Sequence, residues 1–253
     1  MEASPMSLFE KFIKEAYGSQ YVIPVYQRNY TWRKNKQVRQ LLEDIEKILK
    51  GETKRHFIGT IVYVIIKTDF IVRERAVVDG QQRLITMFLI AHALRKIAFE
   101  IGESEIAKII SSSYLENSDA KKEYRFRLKP AVSDDNAYSL IAEQKFEDLQ
   151  GKDSKILESY CFIEDVLKEY IERYGLMSVI NAVRELYVVR IELDENDNAQ
   201  QIFESINSTG EKLTAADLIR NYIMMNKDSD KQEDIYNTYW LVLERIFQES
   251  KWC

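Results

Sequence analysis

The sequence predicts an α+β protein. Two apolar, β-branched runs, Phe57–Ile66 and Phe70–Val78, flank the polar triplet Lys67-Thr68-Asp69, which is the pattern of two strands around a hairpin turn. Apolar residues recur at helical spacing over most of the rest of the chain. A composition of 45% hydrophobic and 30% charged residues, with only 8 glycines and 3 prolines in 253 residues, describes a soluble, helix-rich globular chain rather than a disordered one.

Taken in order, Ser7-Leu8-Phe9-Glu10 has the spacing of a capping box and predicts a short amphipathic helix to about Ala16. Tyr21–Tyr26 is extended, because Pro24 excludes helix interior and restricts Ile23. Asn35 is placed to cap a helix with Val38, Leu41, Leu42, Ile45, Ile48 and Leu49 on one face, ended by Gly51. After the two strands a long helix runs from about Leu84 to Ile101 and stops at Gly102. Helical periodicity then dominates in Glu105–Leu115, Ala137–Leu149, Ile156–Tyr174 and Met177–Leu186, with short strands at Tyr124–Leu128 and Tyr187–Leu193. Gln200–Ile206 reads as helix and Asn207–Lys212 as a polar loop. Thr214 caps Ala215–Met225, and Glu233–Gln248 closes the chain. This divides the sequence into an α+β unit over 1–102 and a mostly helical unit over 103–253.

Charge and cysteine usage narrow the function. With 36 basic and 41 acidic residues the net charge is −5, so any nucleic-acid contact must come from a local basic patch. Cys161 and Cys253 form no metal-binding or disulfide pattern, which fits a reducing cytoplasm. The N-terminus lacks the features of a signal peptide, and Phe57–Ile66 is too short to span a bilayer as a helix, so no membrane partner is expected.

Three segments carry candidate chemistry. The first is Val77-Val78-Asp79-Gly80-Gln81-Gln82-Arg83-Leu84, a strand, a tight turn and a helix start. Gly80 permits a backbone conformation that a Cβ forbids. The free N–H groups of the new helix then form a ready site for an anion. Arg83 in the first turn opposes the helix dipole unless something negative binds there. The plainer alternative is an ordinary strand-turn-helix junction with a solvated first turn.

The second segment runs from Tyr21 to Gln40 and holds five cations, Arg28, Arg33, Lys34, Lys36 and Arg39, with no acid. Tyr21, Tyr26, Tyr30 and Trp32 are interleaved with them, a composition that suits phosphate clamping and base stacking. It equally suits a solvated basic turn whose aromatics pack inward. The third is Phe203 to Asn221, where Asn207, Ser208, Thr209 and Lys212 could hold sugar or phosphate, or simply satisfy the caps of a helix connector. Of the two histidines, His56 sits beside Lys54 and Arg55 as part of a basic rim, and His92 is a packed or surface residue of the long helix.

Ile-Pro-x-Tyr-Gln-Arg-x-Tyr-x-Trp, then His56-Phe57-Ile58-Gly59, then Val-Asp-Gly-Gln-Gln-Arg-Leu, then Phe-x-x-Ile-Asn-Ser-Thr-Gly-x-x-Leu-Thr-x-x-Asp-Leu-Ile-Arg-Asn occur in one order. The combination resembles the N-terminal domain of GmrSD-type, modification-dependent (type IV) restriction proteins over residues 8 to 250. The resemblance implies a ParB/sulfiredoxin-like small sheet with helices. It implies binding and hydrolysis of a nucleoside triphosphate with Mg²⁺, in a sensor of a DNA restriction and phage-defence system. Carried over by position, Asp79, Gln81, Gln82 and Arg83 are the catalytic set. Gln27, Arg28, Gly80 and Arg83 bind nucleotide; by their own chemistry, Asn207 and Lys212 are expected to contact ribose or phosphate, and Asp79 to be the metal ligand for Mg²⁺, directly or through water, or to orient the attacking water. Tyr30, Trp32, Arg33 and Lys34 are assigned to DNA, which is modified in the family's targets. Relatives carry a C-terminal HNH-type nuclease domain. This chain has no HNH arrangement of His and Asn, so the nuclease is expected on a further domain or partner subunit, and a homo-oligomer stays open. Two alternatives stand beside this reading: a DNA- or nucleotide-binding module without hydrolysis, and a ParB-like nuclease acting through the Asp-Gly-Gln-Gln-Arg turn itself. The second is the weaker, because one carboxylate is a poor metal site for phosphodiester cleavage.

Overall fold

The chain's longest apolar run becomes its longest strand. In a computed structural model of the protein, residues 2–14, 18–68, 72–118, 120–149, 154–194, 197, 202, 215–224, 227 and 229–243 are described. Six strands, β1 (Glu2–Ser7), β2 (Ser19–Val22), β3 (His56–Thr68), β4 (Arg73–Asp79), β5 (Leu128–Lys129) and β6 (Leu186–Leu193), form one mixed sheet in the order β1-β6-β3-β4-β2-β5. β3 is antiparallel to β4 and parallel to β6, and β1 is antiparallel to β6. β2 is parallel to both β4 and β5.

Alternation along β3 splits its side chains between two faces. Ile61 and Tyr63 join the large core under the helices. Val62 and Val64 join Val78, Ile191, Leu193 and Ile202 on the opposite face.

The described helices are α1 (Arg39–Leu49), α2 (Gln81–Glu100), α3 (Ser104–Ile110), α4 (Val132–Ala142), α5 (Lys155–Tyr174), α6 (Leu176–Arg184), α7 (Ala215–Met224) and α8 (Ser229–Ile235), besides short helical turns. The architecture is α+β, as the sequence predicts. α2 is apolar nearly all round, with Leu84, Met87, Phe88, Leu89 and Ile90 all buried, so it forms the spine on which the sheet, α3 and α5 pack. One hydrophobic core takes residues from both sides of position 102, among them Tyr63, Leu84, Ile163 and Val188. A smaller cluster joins Val25 and Tyr26 to Met224, Tyr236 and Trp240. None of the described helices is long and apolar enough to cross a membrane.

Several local expectations change. Ser7 does not cap a helix with its side chain. It is the last residue of β1, opposite Tyr187, and Glu10 turns instead to Tyr114 (2.5 Å) and Arg184 (2.6 Å). β1 carries Pro5, which an edge strand tolerates. Asn35 is not a cap either. The helical turn Lys34–Val38 leads into α1, and Gln37 accepts the Arg33 N–H at 3.1 Å. α2 begins at Gln81, three residues earlier than periodicity suggests. The helix expected over Ala137–Leu149 is displaced to Val132–Ala142 and breaks where Gln144 takes φ 62°.

Candidate functional site

The Asp79-Gly80-Gln81-Gln82-Arg83 turn is built against β3. Gly80 takes φ 89° and caps α2 with its backbone alone. A Cβ there would lie 2.7 Å from the Thr60 carbonyl oxygen and 3.2 Å from Ile61 Cα, so both the backbone angle and the space demand glycine. The first turn of α2 carries no acid and no side-chain cap, which leaves its N–H groups directed out of the helix end.

Asp79 ends β4 opposite Val62. Burial pushes its carboxyl pKa up. The Arg83 charge, a hydrogen bond from the Gly80 N–H and the charge of Arg28 pull it the other way. Arg83 Nη1 stands 3.5 Å from Asp79 Oδ2 and donates to the Thr60 carbonyl at 2.8 Å. About a third of the Arg83 side chain stays exposed. Arg28 and Arg83 thus gather at one carboxylate although 55 positions separate them.

The two glutamines part company. Gln82 is buried and fully engaged. Its Oε1 accepts the Thr31 N–H at 2.7 Å, and its Nε2 donates to the Asn29 carbonyl at 3.0 Å, clamping the 29–32 loop onto α2. Gln81 is only 6% exposed, and its side chain has no hydrogen-bond partner among the described residues.

The segment around Pro24 is tied to the same place. Gln27 is buried and donates to the Val78 carbonyl at 3.0 Å, so it fixes the loop to the end of β4. Tyr30, expected on a DNA surface, is instead buried. Its hydroxyl pairs with Thr86 Oγ1 at 2.8 Å and its N–H donates to Asp134 at 2.7 Å, so no base can stack on it in this arrangement. Burial holds its phenol up at about 12. Trp32 is half-buried against the core, while Arg33 and Lys34 are exposed, Lys34 lying 3.9 Å from Glu158.

Asn207 and Lys212 lie outside the described residues. The chain on either side of them is placed. Ile202 packs with Val62 and Val78, and Arg220 of α7 donates from Nε to the Tyr26 carbonyl at 2.8 Å while pairing with Asp217 at 2.7 Å. Both flanks therefore meet residues adjacent in sequence to Gln27 or Asp79.

The histidines do other work. His56 Nε2 lies 3.2 Å from Asp44, and His92 is buried with Nε2 3.2 Å from the Tyr138 hydroxyl. Burial holds the His92 pKa well down. Among the described residues no three His, Cys, Asp or Glu side chains gather as metal ligands. A surface pocket of about 620 Å³ lined by Glu10, Leu49, Asn181, Arg184 and Tyr187 contains none of the predicted site residues. Sequence reasoning missed Thr60, Asp134 and Arg220. Only Arg220 stood in a quoted motif, and a backbone carbonyl such as that of Thr60 leaves no trace in a sequence.

The family model of the GmrSD restriction endonuclease N-terminal domain matches residues 8–224. An uncharacterized protein of Methanocaldococcus jannaschii is 24% identical over 246 residues, covering 82% of this chain and 40% of that protein. The chain thus spans well under half the length of this curated relative. With the first three motif segments meeting at the start of α2 and the family match extending over most of the sequence, the chain belongs to the family of the GmrSD restriction endonuclease N-terminal domain, a restriction-system domain.

Proposed function

We propose that this domain binds a nucleoside triphosphate with Mg²⁺ at the start of α2 and hydrolyses it, acting in the cytoplasm as the sensor of a modification-dependent DNA restriction system. One observation carries the reading. An acid-free helix N-terminus, wedged against β3 by Gly80, gathers Arg28 and Arg83 around a single half-buried carboxylate. Two arginines and free backbone N–H groups suit a phosphate chain, each charge-assisted contact contributing about 1.5–3 kcal/mol. One carboxylate is enough for Mg²⁺ when phosphate oxygens and water supply the other ligands, so Asp79 fits a cation that arrives with its nucleotide. Hydrolysis needs a water set in line with the γ-phosphorus. Gln81 has its amide available for that task and Gln82 does not.

Asn207 and Lys212 would contact sugar or phosphate. Arg33 and Lys34, with the exposed edge of Trp32, would meet the DNA backbone. The signal would pass to an HNH-type nuclease domain or partner subunit.

The engagement of Gln82 also favours a second reading, binding without hydrolysis. Calorimetric titration with ATP, GTP, CTP and UTP plus Mg²⁺ tests binding, and phosphate release with and without DNA separates the two readings. Arg83→Ala should weaken binding about a hundredfold while the melting transition stays intact. Unchanged affinity in that variant, or no binding of any of the four nucleotides, overturns the proposal.

A further inference from the structure

Gly59 lies inside β3, where no turn calls for a glycine. Its φ is 113°, and pairing with β6 slips between Phe57 and Thr60 around it. A Cβ on Gly59 would stand 2.8 Å from Arg83 Nε and 2.9 Å from Arg83 Cζ. The guanidinium therefore occupies the volume that a side chain at 59 would fill. The same guanidinium donates to the carbonyl of the next residue, Thr60. Gly80 presses on that carbonyl as well, since its own Cβ would come within 2.7 Å of the oxygen.

We infer that Gly59 is a positioning residue, its missing side chain being the seat that holds the Arg83 guanidinium at the start of α2 for an incoming phosphate. This rests on the nucleotide reading above. A free arginine side chain samples many rotamers, and ordering it on binding weakens affinity. The seat orders it beforehand. Thr60 uses one of the five guanidinium N–H groups, and the others remain to meet phosphate oxygens or Asp79. The φ of 113° calls for glycine by itself, so the collision with Arg83 is the part of the penalty that removing the guanidinium relieves.

The test is a double-substitution cycle on the full chain: Gly59→Ala, Arg83→Ala and both, each measured for melting temperature and for binding of the four Mg²⁺-nucleotides. Gly59→Ala should weaken nucleotide affinity about tenfold in the wild-type background, the scale of one charge-assisted contact. In the Arg83→Ala background it should change residual affinity less than about twofold. It should also lower the melting temperature less in the Arg83→Ala background, because the colliding group is gone. If Gly59→Ala alone fails to fold, a folded double variant supports the seat, and failure of both overturns it. Equal melting losses in the two backgrounds overturn the seat too. If Arg83→Ala leaves affinity untouched, the nucleotide reading falls and with it the phosphate role given to Gly59, while the melting cycle still decides whether the guanidinium sits there.

Discussion

Two helical segments of this protein carry a cation but no acid in the first turn and have no side-chain cap, one beginning at Lys34 and one at Gln81. By local sequence they are equals, and both oppose the helix dipole. Their surroundings differ. At the first, Arg33, Lys34 and Lys36 are exposed, and water screens them. At the second, Gly80 is wedged on β3, Gln81 and Gln82 are buried, and Arg83 is held between Gly59, Thr60 and Asp79. A basic helix start becomes a candidate site when its backbone is pressed into the fold. The first start offers a surface for long-range attraction, and the second offers a shaped place for one ligand.

The largest effect that would separate the two starts comes from their capping residues. Gly80→Ala should lower stability by about 3 kcal/mol, combining a strained φ with a collision against backbone. Arg33→Ala at the other start should stay within about 0.5 kcal/mol. Urea unfolding measures both, and equal losses would break the comparison. Next come the glutamines that serve each start. Gln82→Ala should cost about 2 kcal/mol and speed amide exchange at Thr31, whose buried partner is lost. Gln37→Ala, which removes one exposed acceptor, should cost about 0.5 kcal/mol or less.

The loop joining the two starts adds a pH dependence. Burial raises the Asp134 pKa from 3.8 to about 6 while its carboxylate accepts the Tyr30 N–H. The folded state thus binds this proton more tightly than the unfolded chain does. Its contribution to stability is fully present below about pH 4 and is lost as pH rises through about 6. Asp134→Asn keeps an acceptor without the charge. It should gain on the wild type by on the order of 1 kcal/mol between pH 4 and 7 in chemical unfolding. A pH-independent difference would show that the tether does not titrate there. The smallest expected effect sharpens the comparison from the other side. Lys34→Gln should leave stability within about 0.5 kcal/mol, since its pair with Glu158 is long and exposed. If DNA meets this start as proposed, it should reduce the salt dependence of that binding by about one phosphate contact, whereas Arg83→Ala should leave that slope unchanged.

Much of this was legible in the sequence, and the exceptions share a cause. The β3–β4 pair, the long α2 and the strand at 186–193 follow from periodicity, and Gly80 from turn chemistry. The partners of Gln82 and Tyr30 were not legible, because both residues are spent on contacts 50 or more positions away. An aromatic among arginines looks like a stacking platform in a linear string, and only the fold shows Tyr30 facing Thr86. Arg127 has the same character. It is 1% exposed and donates to the carbonyls of Ile13, Ser112, Ser113 and Glu116, a role no local pattern announces.

The order of the sheet also bears on how the protein comes into being. β3 lies at its centre, yet one neighbour, β6, is made some 120 residues later and the outermost β1 waits for that same strand. During synthesis the β3 edge stays open until residue 193 has left the ribosome. At the usual pace of about 5–20 residues per second that is a wait of many seconds with an apolar edge unpaired. Such pairing across the chain is slow to form and invites association with other chains meanwhile. Gly59 and Thr60, which lie beside β6 in the finished sheet, gain their final geometry only when β6 arrives.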